Sequence, residues 1–200
     1  DLESVAANAI NTSLSLFLGA KSGRVFGAAA SDYLFGGSGN DSLSGHKGND
    51  SLYGGQGNDI YEYNLGDGQD TIAETDGAND ILRFRVGILP DQVKLVRWWS
   101  GQGEDSLRLE INSDDPSLQG YVHISGYFAL TANRVERIEF SDGTSWTYAD
   151  VQARLLAPST GDDLLTGYLE PDLIDGSEGD DMINGKVGDD TLLGGNGMVV

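Results

Sequence analysis

The chain contains no cysteine in 200 residues, and it has only two histidines, four prolines and twelve basic residues. The absence of cysteine excludes disulfides, thiolate metal sites and a cysteine nucleophile. No apolar run approaches the roughly 18 residues that a membrane-spanning helix needs. His46 and His123 give no basis for a Ser/His/Asp triad, and neither GxSxG nor HExxH occurs. We therefore expect a chain without a membrane span and without catalysis of its own.

Acidic residues dominate the charge, and the formal net charge is −20. Residues 81–156 carry 8 of the 12 Lys and Arg but only 10 of the 32 Asp and Glu, so the excess negative charge lies in the flanking segments. This balance argues against nucleic acid or an anionic membrane surface as the main partner. Crowded carboxylates also oppose a compact state unless a cation is bound.

Glycine and aspartate recur in a nine-residue frame. Residues 27–62 read GAAASDYLF, GGSGNDSLS, GHKGNDSLY and GGQGNDIYE, and residues 158–193 read PSTGDDLLT, GYLEPDLID, GSEGDDMIN and GKVGDDTLL. Aspartate holds the sixth place of every unit, and an apolar residue or tyrosine holds the eighth. Such a period indicates a repeat architecture. A disordered acidic tail, the alternative for this composition, would not keep an apolar residue in phase.

The repeat also indicates its ligand chemistry. Glycines permit tight turns with positive φ, and these turns aim backbone carbonyls toward the aspartate. One buried leucine contributes roughly 1.5–3 kcal/mol, which cannot offset the ordering of nine residues at roughly 1–2 kcal/mol each. Stacking and a bound cation must therefore supply the rest. Carbonyl and carboxylate oxygens without imidazole or thiolate ligands select Ca²⁺ rather than Zn²⁺.

These repeats resemble the RTX (repeats-in-toxin) nonapeptide family. The resemblance implies an all-β fold, a parallel β-roll in which two repeats form one coil and turns 18 residues apart stack on one edge. It implies one Ca²⁺ between stacked turns. The earlier turn would provide its second- and fourth-place carbonyls and its aspartate, and the later turn its first- and third-place carbonyls and its aspartate. Residues 63–80 continue the frame after a two-residue insertion.

Carried over to this chain, the family pattern implies six sites. In the first block they are Ala28, Ala30 and Asp32 with Gly45, Lys47 and Asp50; Gly37, Gly39 and Asp41 with Gly54, Gln56 and Asp59; His46, Gly48 and Asp50 with Leu65, Asp67 and Asp70; and Gly55, Gly57 and Asp59 with Thr75, Gly77 and Asp80. In the second block they are Ser159, Gly161 and Asp163 with Gly176, Glu178 and Asp181; and Tyr168, Glu170 and Asp172 with Gly185, Val187 and Asp190. Two of the sites depart from the glycine pattern, one through Ala28 and Ala30 and the other through Tyr168 and Glu170, so the resemblance is weaker there. We expect about five or six Ca²⁺ ions, bound with dissociation constants on the order of 10⁻⁴–10⁻³ M.

Residues 81–157 differ in composition. ILRFRV, VKLVRWW, SLRLEIN and RVERIEF alternate apolar and polar residues, which predicts half-buried strands, and residues 148–156 have helical spacing. The pieces GDGQDTI, GILPDQVKL and IEFSDGTSW resemble the haemolysin-type calcium-binding-related domain. We expect an N-terminal cap or degenerate repeat (1–26), a first RTX block (27–80), an antiparallel β sub-domain with one short helix (81–157) and a truncated second RTX block (158–200).

The resemblance implies a calcium-binding module of a secreted bacterial protein, a toxin or an adhesin, of which this chain is a fragment. It also implies export through type I secretion machinery and folding on Ca²⁺ outside the cell. Two alternatives stay open. One is an adhesin module that contacts a glycan or a host surface through aromatic residues, which more simply form a core: Trp98, Trp99, Tyr121, Tyr127, Phe128 and Trp146. The other is the non-catalytic C-terminal part of a secreted enzyme. Repulsion among carboxylates should raise their pKa values, so that protons compete with Ca²⁺.

Overall fold

The computed structural model describes residues 3–6, 12–76, 79–99 and 105–197, with the backbone alone for residues 3–6. The chain forms two compact units, residues 1–148 and 149–200. The regular structure of the described residues is mainly β-strand, together with one α-helix of eight residues, α1 (Tyr148–Leu155). Among them, no helix combines the length and the apolar character needed to cross a membrane.

In the first unit, alternate strands of the chain assemble into two sheets. The first sheet contains β1 (Glu3–Ala6), β3 (Gly23–Phe26), β5 (Ser42–Ser44), β7 (Ile60–Tyr63), β9 (Ile81–Phe84), β13 (Arg137–Glu139) and β14 (Ser145–Thr147). The second sheet contains β2 (Ser15–Gly19), β4 (Tyr33–Ser38), β6 (Ser51–Gln56), β8 (Gln69–Ile72), β10 (Val93–Trp99), β11 (Asp105–Ile111) and β12 (Gly120–Ile124). From β1 to β9 each strand pairs parallel with the strand one coil away, so that Leu34 lies opposite Leu52 and Leu43 opposite Tyr61. The chain is therefore wound as a parallel β-roll with two strands in each coil, as predicted.

A column of eighth-place side chains forms the core of the roll. These side chains are 0–2% exposed, and they are Leu34, Leu43, Leu52 and Tyr61, continued by Ile72 and Leu82 after the insertion. Because neighbouring strands lie roughly 4.8 Å apart, each of these side chains packs against the one in the next coil. The repeat thus places one buried eighth-place side chain in each strand from β4 to β9.

The segment that follows the roll extends both of its sheets. Strand β12 pairs parallel with β8, and β13 pairs parallel with β9. The remaining pairs of this segment, β10–β11, β11–β12 and β13–β14, are antiparallel. The last coil of a roll exposes unpaired N–H and C=O groups, which favour pairing with a further strand. The segment therefore covers the end of the roll through backbone hydrogen bonds as well as through side chains.

The second unit repeats the roll on a smaller scale. Strand β15 (Leu164–Thr166) pairs parallel with β17 (Met182–Asn184), and β16 (Leu173–Asp175) pairs parallel with β18 (Thr191–Leu193). Its core consists of three eighth-place side chains with Leu156 packed against them: Leu165, Ile174 and Ile183. The same sequence frame thus forms the same coil in both units.

Candidate metal sites

The glycine–aspartate motif lies in the turns between strands. At the second and fourth places of turn 54–59, Gly55 and Gly57 have φ of 98° and 124°. A Cβ on Gly57 would lie 2.5 Å from the carbonyl carbon of Gly39, which is the equivalent residue one coil earlier. Both the backbone conformation and the close stacking therefore require glycine at this place.

In each of the six predicted sites, a hydrogen bond from a backbone N–H to a side-chain carboxylate joins the two aspartates. The N–H of the earlier aspartate donates to Oδ1 of the later one. The pairs and their N···O distances are Asp32–Asp50 (2.7 Å), Asp41–Asp59 (2.8 Å), Asp50–Asp70 (3.0 Å), Asp59–Asp80 (2.7 Å), Asp163–Asp181 (3.0 Å) and Asp172–Asp190 (3.0 Å). We call this series the aspartate ladder. It fixes the carboxylate of each later turn against the turn one coil earlier.

The second oxygen, Oδ2, is buried without a hydrogen-bond partner in most of these aspartates. This is the case for Asp41, Asp50, Asp59, Asp70, Asp80 and Asp181. An acceptor that loses its hydration without gaining a partner costs roughly 1–3 kcal/mol, and more when it is charged. Each of these atoms therefore favours a bound cation. Because the available donor atoms are all oxygens, the chemistry fits Ca²⁺.

Oxygens from two stacked turns converge beside the first-place glycine. A Cβ built on Gly36 would lie 2.5 Å from Asp41 Oδ2 and 2.6 Å from the carbonyl oxygen of Gly54. The corresponding neighbours are Asp32 Oδ2 and the Gly45 carbonyl oxygen at Gly27, and Asp172 Oδ2 and the Gly185 carbonyl oxygen at Gly167. In each case an aspartate of one turn meets the first-place carbonyl of the turn one coil later, as the predicted ligand sets require.

Comparisons with family models identify the same parts of the chain. Residues 26–61 and 159–192 match the RTX calcium-binding nonapeptide repeat, and residues 107–150 match the haemolysin-type calcium binding protein related domain. The chain carries RTX repeats. A search of curated proteins finds no match. The repeats and the fold together make this chain a Ca²⁺-binding β-roll module.

Three RTX turns differ from the others because their own backbone occupies Oδ2 of the aspartate. The second-place N–H donates to this oxygen in the pairs Ala28–Asp32 (2.7 Å), Ser159–Asp163 (2.7 Å) and Tyr168–Asp172 (2.5 Å). We call these the capped turns (27–32, 158–163 and 167–172). Calcium would have to displace this hydrogen bond before it could use Oδ2.

Five other RTX turns leave Oδ2 unpartnered, and in all five the second-place residue has positive φ. These open turns are 36–41, 45–50, 54–59, 65–70 and 176–181, and their second-place residues are Gly37, His46, Gly55, Gly66 and Ser177. Positive φ turns the second-place N–H away from the carboxylate. His46 and Ser177 adopt it at φ of 63° and 65° although they are not glycine. Asp80 also has an unpartnered Oδ2, although the second-place residue of its turn does not have positive φ.

The other predicted ligands would contribute backbone carbonyls, and two of these carbonyls contact the turn one coil earlier. The third-place carbonyls of Gln56 and Asp67 accept hydrogen bonds from Gly39 and Gly48, at 2.7 and 2.8 Å. The side chains at several such places point to solvent, as a carbonyl role allows: Lys47, Glu170, Glu178 and Val187. Gly77 lies outside the described residues. The complete ligand sets stay predictions.

The nine-residue frame did not predict a role for Glu74, which lies between two sixth places. One oxygen each of Asp59, Glu74 and Asp80 lie within 4.8 Å of one another, and all three residues are buried. Oε1 of Glu74 accepts a hydrogen bond from the Tyr61 hydroxyl, and Oε2 accepts one from the Thr75 N–H at 3.2 Å. The available sequence signal was Tyr61, a residue with a polar hydroxyl at an otherwise apolar eighth place.

Burial raises the pKa values of five carboxyl groups in the first block, and neighbouring carboxylates add to the effect. The pKa rises to about 6 for Asp80, to about 7 for Asp50 and Asp59, and to about 8 for Asp70 and Glu74. Backbone hydrogen bonds from the ladder act in the opposite direction but are weaker than desolvation. A bound cation would stabilise the charged forms that burial disfavours.

Proposed function

We propose that this chain is a folding module of a secreted bacterial RTX protein and that external Ca²⁺ drives its folding. The observation that supports this is the set of buried Oδ2 atoms without partners, in a chain with a net charge of −20. Only the folded chain brings these oxygens close together, because they come from residues 18 to 21 positions apart. The free energy of calcium binding therefore contributes directly to the free energy of folding.

The family resemblance supports export of the chain through type I secretion machinery. A chain whose folding depends on Ca²⁺ stays extended where calcium is scarce and folds where calcium is abundant. Binding constants on the order of 10⁻⁴–10⁻³ M, typical of extracellular modules, would suit this change of compartment. We assign any toxin or enzyme activity to other parts of the parent protein and no catalysis to these residues.

Far-UV circular dichroism tests the proposal when the chain is titrated with Ca²⁺ after treatment with EGTA. We expect a largely disordered spectrum in EGTA, a β-sheet spectrum in excess Ca²⁺, and full reversal by chelation. Mg²⁺ is the matched control, because its small size and octahedral preference suit a site of six to eight oxygens poorly. A β-sheet spectrum that is already complete in EGTA would contradict the proposal.

An adhesin role is a second candidate, and two exposed tryptophans support it. Trp98 and Trp99 are 41% and 61% exposed at the end of β10, whereas Tyr127, Phe128 and Trp146 are buried in the core of the first unit. The Arg108 guanidinium lies 3.8 Å from the ring centroid of Trp98 and holds that ring at the surface. Glycan-array binding in Ca²⁺ by the native chain, lost in a folded Trp98→Ala, Trp99→Ala variant, would support this role. Absence of binding to any glycan on the array would contradict the adhesin role.

A further inference from the structure

The space beside Gly54 differs from the equivalent space in the other turns. Beside Gly36, the aspartate meets a first-place carbonyl of the next coil. Beside Gly54, a built Cβ would lie 2.6 Å from Oε1 of Glu74 and would overlap Asp59 Oδ2 and the Tyr61 hydroxyl. A side-chain carboxylate thus occupies the position that a backbone carbonyl holds beside Gly27, Gly36 and Gly167.

Tyr61 explains how Glu74 is held at this position. The tyrosine is fully buried at the eighth place of its repeat, where the neighbouring repeats have leucine. Its hydroxyl accepts a hydrogen bond from the Gly54 N–H at 2.8 Å and donates its own proton to Glu74 Oε1. With the Thr75 N–H on Oε2, both oxygens of Glu74 are positioned by the protein. A leucine at residue 61 could not provide this contact.

The two aspartates of the group provide an observation that is independent of the clustering of acidic residues. Oδ1 of Asp59 accepts the Asp41 N–H, and Oδ1 of Asp80 accepts the Asp59 N–H. Oδ2 of both side chains is buried without a partner. The charged neighbours that raise the pKa values of Asp59, Glu74 and Asp80 are themselves carboxylates. Two aspartates that each have an unpartnered oxygen, and a third carboxylate that the protein positions, therefore form one buried group.

We propose that Asp59, Glu74 and Asp80 form a three-carboxylate Ca²⁺ site that binds calcium more tightly than the other RTX turns and fills first. This inference rests on the proposed calcium-dependent function and adds a ligand outside the repeat frame. The other predicted sites have two carboxylates, whereas this one has three. Calcium affinity rises with ligand charge and with site rigidity, and here Tyr61, Thr75 and the aspartate ladder fix the ligands.

Calorimetric Ca²⁺ titration of the full chain and of Glu74→Gln tests the site. In the native chain we expect one tight site followed by a weaker class. Glu74→Gln should weaken the tight site by about 10–100-fold and leave the weaker class in place. Glu136→Gln is the matched control, since it also removes a negative charge beside Asp80 and keeps an oxygen for the Asp80 N–H. It should retain the tight site.

Tb³⁺ provides a second readout, because a nearby tyrosine sensitises its luminescence. The first equivalent of Tb³⁺ should give tyrosine-sensitised emission in the native chain and much less in Tyr61→Phe. Tyr61→Phe keeps all three carboxylates, so it also tests the site if Glu74→Gln does not fold. It should weaken the tight site by roughly tenfold, since one positioning hydrogen bond to a charged group is lost.

The possible outcomes separate this inference from the proposed function. If the native chain neither binds Ca²⁺ nor folds with it, the proposed function fails and the site fails with it. If the native chain binds and folds, but a folded Glu74→Gln keeps the tight site unchanged, only the three-carboxylate site is wrong. An unchanged tight site in Tyr61→Phe likewise contradicts it when Glu74→Gln is unfolded.

Discussion

The two RTX blocks share one sequence frame and differ in how completely their coils are enclosed. In the first block the sixth-place aspartates are all buried, and the strands belong to two large sheets. In the second block Asp181 alone of the four is buried, and the strands form pairs. Its apolar seventh-place residues Leu164, Leu173 and Met182 are 72%, 68% and 53% exposed. The same frame thus forms a turn in both blocks, whereas the neighbouring coils determine how far the aspartate of that turn is buried.

This difference follows from the linear nature of a repeat protein, in which each repeat contacts only its neighbours. A coil inside the first block has a coil or a covering strand on each side. The second block has few coils, so most of its turns lie at an end. Its two complete sites, moreover, start from capped turns, whereas three of the four sites in the first block start from open ones. We therefore expect the first block to bind Ca²⁺ more tightly.

The largest expected effect comes from removing one aspartate in each block. Asp59→Ala should raise the calcium midpoint of folding by about 10–100-fold, because this carboxylate belongs to two predicted sites and to the ladder. Asp172→Ala, the matched change in a capped turn, should shift this midpoint by less than about tenfold, since its Oδ2 already has a backbone partner. Far-UV circular dichroism measures this midpoint in both units, whereas tryptophan fluorescence reports on the first unit alone, because Trp98, Trp99 and Trp146 all lie there. Equal shifts in the two variants would contradict the comparison.

A smaller effect is expected from pH. The raised pKa values of Asp50, Asp59, Asp70, Glu74 and Asp80, at about 6–8, mean that protonation stabilises the metal-free first block. This stability is fully present below about pH 4 and is lost as pH rises through about 6–8. Calcium that binds to the protonated, metal-free fold must displace these protons, so the calcium midpoint of binding should rise as acidification populates that fold, by up to about tenfold for each pH unit and for each proton displaced.

The pH effect is measured by calorimetric calcium titrations in buffers between about pH 5.5 and pH 8. In EGTA, acidification should also increase the β-sheet signal, because the protonated carboxyl groups no longer repel. A calcium midpoint that is constant across this range would show that burial does not govern these carboxylates.

The smallest expected effect is a gain of affinity in a capped turn. Ala28→Gly combined with Ala30→Gly would give the first turn the glycines of its neighbours and allow positive φ at the second place. Asp32 Oδ2 would then lose its backbone partner, and the first site should bind Ca²⁺ up to about tenfold more tightly. Ala29→Gly is the matched control, because it adds flexibility without changing the second place. A gain no larger than that of Ala29→Gly, measured by calorimetry, would contradict the distinction between capped and open turns.

The repeat frame predicted the roll, its core and the pairing of the aspartates, because all of these depend on residues at a fixed spacing. Leu34, Leu43 and Leu52 are buried for this reason, and Asp41 meets Asp59 for the same reason. Backbone conformation was less accessible to sequence reasoning. Positive φ at Ser177 and its absence at Ala28 decide whether an aspartate is open or capped, and neither follows from the frame.

Contacts between segments far apart in sequence could not be predicted from periodicity. Strands β12 and β13 pair with the last strands of the roll because they cover unpaired backbone groups, and alternation alone does not specify a partner. Glu74 escaped prediction because it lies between the frames that place Asp70 and Asp80 and belongs to neither. Its role depends on the hydroxyl of Tyr61, thirteen residues earlier.

The aspartate ladder has a direction, and this direction bears on the order in which the chain can fold. The N–H groups of Gly23, Asp41 and Asp59 each donate to the next aspartate, and the N–H of Asp80 donates to Glu136. Every acceptor lies C-terminal to its donor. If the N-terminus emerged first, the donor N–H of each new turn would lack its acceptor carboxylate until a later turn had emerged. A chain that emerges from its C-terminus would add each coil to an acceptor already in place, beginning at Glu136.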